Sequence, residues 1–444
     1  MIASDTIYAY GTGEGVSAIA VLRISGPACV EIISGLIGRS LVPRQMTLVD
    51  LRVEGSETAI DRCFAVWFPS PASFTGEDCL ELHVHGGLAV KAAVFSALSK
   101  FQHCRPAVAG EFTRRAFENG KLDLGSVEAL SDLLAAKTEQ QRILAAGALG
   151  GNIGRRAVAW RRDLIECMAL VEASLDFADE GDAPTHVLPE VIEKIGEISK
   201  DVNDMLLRSH GSEVVRQGFR VALCGAPNAG KSSLLNYLAD RDVAIVSDVA
   251  GTTRDVIEVA LDLRGLLVLV SDTAGVRASG DVVEQMGIER TRRSAAAADL
   301  VLWLSDAGDV FHIDSDIGSA ASHLVTVRTK CDLFGSAGTC DRGELAVSVV
   351  TGMGIETLVD LIYEKASQAA GLSEDIMFIN QRQKAEAVAA RDHLVSVLSD
   401  LDSHGAEIIA DRMRRAAQHI GAISGAVGVE DVLDEIFSQF CMGK

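Results

Sequence analysis

The sequence predicts a multidomain chain: an N-terminal α+β domain, an all-α helical domain, and an α/β domain of P-loop type inserted into the helical one. Three observations predict this. A length of 444 residues carries a prior of about three domains. The apolar period changes along the chain, from alternation to three- and four-residue spacing, then to short apolar runs between helical segments, then back to helix. One glycine-rich run, "GAPNAGKSS", lies between a strand pattern and a helix pattern.

Residues 1–118 alternate as strands do in "AIAVLRIS", "RCFAVWF" and "CLELHVH", with Gly, Pro and Ser between them. "GLAVKAAVFSALSK" after "HVHGG" reads as a helix packed on them. Residues 119–213 form the first helical part, with "GSVEALSDLLAAKTEQQRILAAGALGG" and "RRAVAWRRDLIECMALVEASLDF" broken by the polar "DEGDAPTHVLPE". Residues 214–371 alternate strand and helix, which argues a mostly parallel, covered sheet. "VIEVALDL" and "LLVLVSD", joined by "RG", read as a hairpin supplying one antiparallel edge. Residues 372–444 return to helix, and the chain closes on "FCMGK".

Composition narrows the class. Apolar content of 48% and charged content of 23% suit a globular protein with sizeable cores. No stretch reaches the roughly 18 uncharged apolar residues of a membrane span, and "MIASDTIYAY" lacks an export signature. Nine cysteines without CxxC pairs fit a reducing compartment, so the expected location is the cytoplasm. A formal charge of −21 argues against nucleic-acid binding through a global field. Any such contact must be local or shared with a partner. The Arg pairs 114/115, 155/156, 161/162 and 292/293, with Arg412, Arg414 and Arg415, are the local candidates, and each also reads as a solvated helix face. His83 and His85 share a strand face but have no further ligand spaced with them, so they do not read as a metal pair.

The strongest motif is Gly225–Ser233, G-x-x-x-x-G-K-[ST] directly after a strand and opening a helix. Its glycines let backbone N–H groups close around phosphate oxygens, Lys231 reaches the terminal phosphates, and Ser232 offers a hydroxyl to magnesium. Four later segments select the nucleotide. "GTTRD" supplies Thr253 for magnesium and the γ-phosphate. "DTAG" is a D-x-x-G ending a strand: Asp272 sits near the metal, and Gly275 follows Thr273 and Ala274 at the γ-phosphate. "TKCD" places Thr329, Lys330 and Asp332 where a carboxylate takes two hydrogen bonds from the guanine edge. Ser348 and Val349 of "SVV" stand at the loop that contacts guanine O6. Together they read as a GTP-hydrolysing site. Thr329 replaces the usual Asn, which predicts a weaker tie between base loop and phosphate loop. Val276 stands where a water-orienting Gln is common, so another residue must hold the attacking water. Glu284, shortly downstream in "DVVEQMGIERTRRS", is the candidate, and it also reads as an exposed helix carboxylate.

These residues resemble the MnmE (TrmE) family of tRNA-modification GTPases, in the TrmE-Era-EngA-like class. "GAPNAGKSSLLN", "AGTTRD" and "DTAGVR" carry the match in the G domain. "LRISG", "SFTGEDCLELHVHGG", "RRAFENGKLDL" and "FCMGK" carry it elsewhere, so it covers essentially the whole chain. The resemblance implies an N-terminal folate-binding and dimerisation domain, a helical domain and an inserted α/β P-loop GTPase (G) domain. It implies a homodimer acting with the FAD protein MnmG, in a heterotetramer, on C5 of the wobble uridine of certain tRNAs. The product would be an aminomethyl or carboxymethylaminomethyl group. The one-carbon donor would be a tetrahydrofolate derivative, 5-formyl- or 5,10-methylene-tetrahydrofolate, and Mg2+ and K+ would serve the G domain.

Position by position, the resemblance implies that Asn228, Ala229, Gly230, Lys231, Ser232 and Ser233 hold the nucleotide with Ser247, Asp248, Val249, Ala250, Gly251, Thr252 and Thr253. Asn228 would ligate potassium, completed by Ser247, Val249 and Thr252, so that a monovalent cation offsets developing charge in place of an arginine finger. Glu284 would be the catalytic acid, with Arg254 in support. Arg23, Glu81, Lys121 and Lys444 match folate-binding positions, a carboxylate suiting the pterin N–H edge and cations suiting glutamyl carboxylates. "YGTGEGVSAI" lacks the Pro-Pro-Gly-Arg run common there, so the pocket rim is expected to differ. Cys441 is either a small buried apolar residue or, as the resemblance implies, a nucleophilic or orienting group beside the folate site. The alternative reading is a ribosome-assembly or RNA-binding GTPase switch of the Era/EngA type. A further one is a stand-alone folate-dependent transferase in which GTP is only regulatory.

Overall fold

The computed structural model describes residues 5–13, 15–53, 55, 58–176, 187–209, 211–241, 243–245, 257–272, 292–306, 323–333, 345–371, 380–399, 406–425, 433, 436–438, 440 and 443. The chain divides into two compact units: residues 1–131, 149–165 and 417–444, and residues 132–148 and 166–416.

The first unit is built on a six-stranded sheet ordered β3-β4-β5-β2-β1-β6, with strands β1 (Thr6–Tyr10), β2 (Ser17–Ser25), β3 (Thr47–Leu51), β4 (Asp61–Phe68), β5 (Cys79–Gly86) and β6 (Cys104–Pro106). Every pairing is antiparallel except β1 with β6. Alternation along β2 and β5 sends Leu22, Ile24, Leu80 and Leu82 into a core closed by Val94, Ala97 and Leu98 of helix α1 (Leu88–Leu98). The other face keeps Arg23 and Glu81 partly exposed. The sequence pattern had shown β2, β4 and β5. Strands β1, β3 and β6, of five, five and three residues, carry too few positions for alternation to stand out.

A network of charges closes one end of this unit. Arg115, on a helix at Glu111–Glu118, is 3% exposed. It donates to Asp5 Oδ1 at 2.9 Å, Glu77 Oε2 at 3.1 Å and Glu111 Oε1 at 3.1 Å. The sequence offered it as surface, whether solvated or nucleic-acid-binding. It is neither, because Asp5 and Glu77 from distant segments converge on it with Glu111 of its own helix.

The second unit holds a six-stranded sheet ordered β12-β11-β10-β7-β9-β8, with β7 (Phe219–Gly225), β8 (Ile257–Leu263), β9 (Leu266–Asp272), β10 (Leu300–Asp306), β11 (Leu324–Thr329) and β12 (Leu345–Ala346). All its pairings are parallel except β8 with β9, the expected hairpin edge. Arg264 and Gly265, at φ 55° and 90°, make the tight turn that a two-residue connection requires. Core residues of the strands pack on Leu234, Leu235 and Leu238 of one helix and on Leu358 and Ile362 of another. Helices at Val187–Arg208 and Gln381–Ser399 belong to the same unit. Pro189, expected in an interhelical break, instead lies in the first turn of the former, where its missing N–H costs nothing. Among the described residues, no helix is long and apolar enough to cross a membrane.

Candidate functional site

Strand β7 delivers the phosphate loop, and the helix at Lys231–Ala239 receives it. Gly225 turns at φ +139°, and a Cβ there would fall 2.1 Å from Leu304 O, so the loop leaves the sheet where only glycine fits. Asn228 adopts φ 65° and remains exposed. Gly230, at φ 85°, caps the helix N-terminus, the end whose free N–H groups attract anions. Ala229 is buried, whereas Ser232 and Ser233 are exposed on the first turn.

Lys231 is 6% exposed, and its Nζ donates to the carbonyls of Gly225 and Ala226, each at 2.8 Å. Burial pushes its pKa below the ordinary lysine value, and the nearby Asp272 only partly opposes this. An under-solvated ammonium enclosed by a loop is poised for a polyanion. Ser232 Oγ donates to Asp272 Oδ2 at 2.6 Å, at the end of β9. A hydroxyl and a buried carboxylate in contact form an oxygen donor pair of the type hard divalent cations select, so the residues fit Mg2+.

The base side is formed by the ends of β10, β11 and the 345–350 segment. Asp306 and Thr329 are parallel partners. Thr329 is 5% exposed, and its Oγ1 donates to Ala229 O at 2.8 Å, with Ser305 O at 3.2 Å as a competing acceptor. The threonine thus ties the base loop to the phosphate loop through one hydroxyl. Lys330, at φ 55°, places Nζ 2.8 Å from Asp306 Oδ2. Ser348 is fully buried and donates through Oγ to Asp332 Oδ1 at 2.6 Å, which fixes the carboxylate as an acceptor. Val349 beside it is half-buried.

The remaining residues expected at this site, Ser247, Asp248, Val249, Ala250, Gly251, Thr252, Thr253, Arg254, Thr273, Ala274, Gly275 and Glu284, lie outside the described residues, as do Cys441 and Lys444.

In the other unit, Arg23 and Glu81 are direct cross-strand partners on β2 and β5, joined by Nε to Oε1 at 3.1 Å. They line a cleft of about 160 Å3 with Phe68, Phe74, Thr75, Cys79 and Phe112. The Arg23 guanidinium lies 5.2 Å from the Phe74 ring centroid. Aromatic walls with a carboxylate and a guanidinium at the edge suit a flat, hydrogen-bonding heterocycle. Lys121 does not line the cleft. It donates to Pro71 O at 2.8 Å and packs against Gly76 in the loop that carries Phe74. Gly443 of the C-terminal tail is buried on the backbone of Tyr10 and Gly11, and Gly11 lies against the Arg23 side chain. His83 faces Glu81 at 3.8 Å while His85 pairs with Asp61 at 2.8 Å. Among the described residues, no cluster of three or more His, Cys, Asp or Glu could hold a metal.

A phosphate loop on a mostly parallel sheet, a serine–aspartate pair for a divalent ion and a serine-braced aspartate on the base side define a P-loop GTPase. The family described as "GTP-binding protein TrmE N-terminus" matches residues 6–121, and that described as "MnmE helical domain" matches residues 124–441. The tRNA modification GTPase MnmE of Methylobacterium radiotolerans is 44% identical over 443 residues, covering 99% of each chain. That of Rhodopseudomonas palustris is 45% identical over 454 residues, again covering 99% of each. Among solved structures, the G domain of the T. maritima FeoB iron transporter matches 33% of this chain and 98% of its own, at 24% identity and a TM-score of 0.26. The chain belongs to the MnmE (TrmE) family of tRNA modification GTPases and is a GTP hydrolase.

Proposed function

We propose that this chain is the potassium-activated GTP-hydrolysing subunit of a cytoplasmic complex that modifies C5 of the wobble uridine of certain tRNAs. It would act as a homodimer with an MnmG-type FAD protein and draw its one-carbon unit from a tetrahydrofolate derivative. The observation that carries this reading is the presence, in one chain, of the phosphate-loop site and the Arg23–Glu81 cleft.

In the G domain, Lys231 and the loop N–H groups would hold the β- and γ-phosphates, and Ser232, with Thr253, would hold Mg2+ close to Asp272. Asp332 would accept the guanine N–H edge, an arrangement that adenine does not match. Asn228 would contribute to a K+ site with Ser247, Val249 and Thr252. That cation would supply positive charge near the phosphates, while Glu284, with Arg254, would orient the attacking water. In the N-terminal unit, Glu81 would accept from the pterin edge, with Arg23, Lys121 and Lys444 toward the folate carboxylates and Cys441 close by. The cleft volume suits a bicyclic ring with the remainder of the molecule outside it.

The test is steady-state GTP hydrolysis in potassium chloride against sodium chloride, with ATP as control. Fast turnover confined to potassium and GTP, and lost in Glu284→Ala, is the expected result. Equal slow turnover in both salts would refute the cation site. A tRNA modification assay run without the flavoprotein should give no product. Product without it would favour a stand-alone transferase.

A further inference from the structure

Lys91, in helix α1, is 9% exposed among core neighbours. An ammonium at such a depth is costly unless its charge is met. Its Nζ donates to Gly13 O at 3.1 Å and Gly15 O at 2.9 Å and lies 5.5 Å from the Tyr10 ring centroid. The Tyr10 hydroxyl donates back to Lys91 O at 3.2 Å, and the Tyr10 ring stacks on Phe95 at 5.1 Å. The segment Lys91 grips, "GTGEG", has little stiffness of its own, because glycine restricts the backbone least. Gly13 and Gly15 have no neighbour within 4 Å of where a Cβ would stand, so side-chain packing does not hold them.

The near end of this segment adjoins the cleft. Gly11 N donates to Val21 O at 2.8 Å, and Val21 N donates to Thr12 Oγ1 at 3.3 Å. A Cβ at Gly11 would lie 3.9 Å from both Arg23 Cδ and Gly443 O. The loop thus touches a cleft-lining side chain on one side and the C-terminal tail on the other.

We propose that Lys91 is a positioning residue: by clamping the carbonyls of Gly13 and Gly15 it holds the glycine-rich loop, braces Arg23 and seats the tail at Gly443. The ligand part of this inference rests on the folate reading of the cleft. The clamp itself does not.

Lys91→Met keeps an unbranched side chain of similar length and removes the charge and its donors. Lys91→Arg restores donors able to reach both carbonyls. Binding of 5-formyltetrahydrofolate to the full chain is measured by calorimetry, and backbone hydrogen exchange is followed in peptides covering residues 5–22 and 433–444. Unchanged exchange in peptides covering β4 and β5 reports that the N-terminal sheet of each variant is folded. The methionine variant should bind the folate at least about tenfold more weakly, with exchange faster in both peptides, and the arginine variant should recover most of both. Unchanged affinity with unchanged exchange would overturn the proposal. So would faster exchange confined to α1, which would mark Lys91 as packing alone. If the wild-type chain binds no folate, the folate reading fails. The exchange arm then decides the clamp: joint acceleration of loop and tail supports it, and no acceleration refutes it.

Discussion

The tie from Thr329 to the phosphate loop yields a quantitative expectation. Thr329→Val preserves shape and removes one hydroxyl whose bond to Ala229 O is 2.8 Å long. Donor and acceptor residues are both buried, at 5% and 3% exposure, so water does not readily replace the lost donor. A made hydrogen bond is worth about 0.5–1.5 kcal/mol net, and a buried group left unpaired costs about 1–3 kcal/mol. The carbonyl's second lone pair softens that penalty, so the expected total is about 1–2 kcal/mol. At 1.4 kcal/mol per decade this allows roughly a 5- to 30-fold rise in Kd for GDP, if the tie matters chiefly for the nucleotide-bound arrangement. Fluorescent-GDP titration and thermal unfolding of the same variant should be read together. Weaker binding with a modest loss of stability is the expected result, and Thr329→Asn should stay within about threefold of wild type. If valine moves neither Kd nor the unfolding midpoint, the tie is incidental and the reasoning fails.

Other expectations follow from the same geometry. Ser232→Ala removes a hydroxyl 2.6 Å from Asp272, and should weaken nucleotide binding in millimolar magnesium by at least about tenfold while changing little in EDTA; equal loss in both would argue against a metal role. Burial raises the Asp5 and Glu111 carboxyls, but hydrogen bonds and charge from Arg105 and Arg115 outweigh it and hold both below their ordinary values of 3.8 and 4.5. Depressed carboxyls stabilise above those values and lose that contribution as pH falls through the lower folded ones. Denaturant titrations should therefore show a plateau at neutral pH and a decline in acid. Arg115→Met should lower the plateau by about 3–5 kcal/mol, the cost of leaving buried charges unpaired, and flatten the decline. Burial, with Asp61 and Asp50 nearby, pushes the Cys63 thiol up to about 12, and burial pushes Cys29 well above its ordinary value. Both should resist a disulfide reagent at pH 8 until the protein unfolds, and fast native labelling of either would contradict the packing.

The phosphate loop, the Arg264–Gly265 hairpin and the helix at Lys231–Ala239 were legible because each is set by neighbouring residues: turn glycines, a strand's apolar run, a helix start. Strands β1, β3 and β6 were not, because five, five and three residues hold too few positions for alternation to stand out, and β6 is paired with a strand far back in the chain, as Cys104 is with Thr6. Two of the buried cations, Arg115 and Lys91, were misread or missed for a related reason. A lysine or arginine on a helix defaults to solvent, and although Glu111 is one helical turn from Arg115, only the fold brings Asp5 and Glu77 to it, or two glycine carbonyls to Lys91. The Arg23–Glu81 pair came from family resemblance, since nothing in the local pattern links residues on strands so far apart. The alternation of β2 and β5 does explain why both face the cleft.

The seat of Gly443 on Tyr10 and Gly11, like the packing of Gly110 on the Phe437 backbone, has a consequence for synthesis. The first strand of the N-terminal sheet leaves the ribosome early, and the residues that cover its end leave it after the whole nucleotide-binding unit. That unit takes its residues from 132–148 and 166–416, so it can condense while the older sheet still waits for its cover. A nascent chain halted before residue 417 would hold every residue of the nucleotide-binding unit while its N-terminal sheet lacked its cover. Chaperones should meet this protein at its oldest residues, late in its translation.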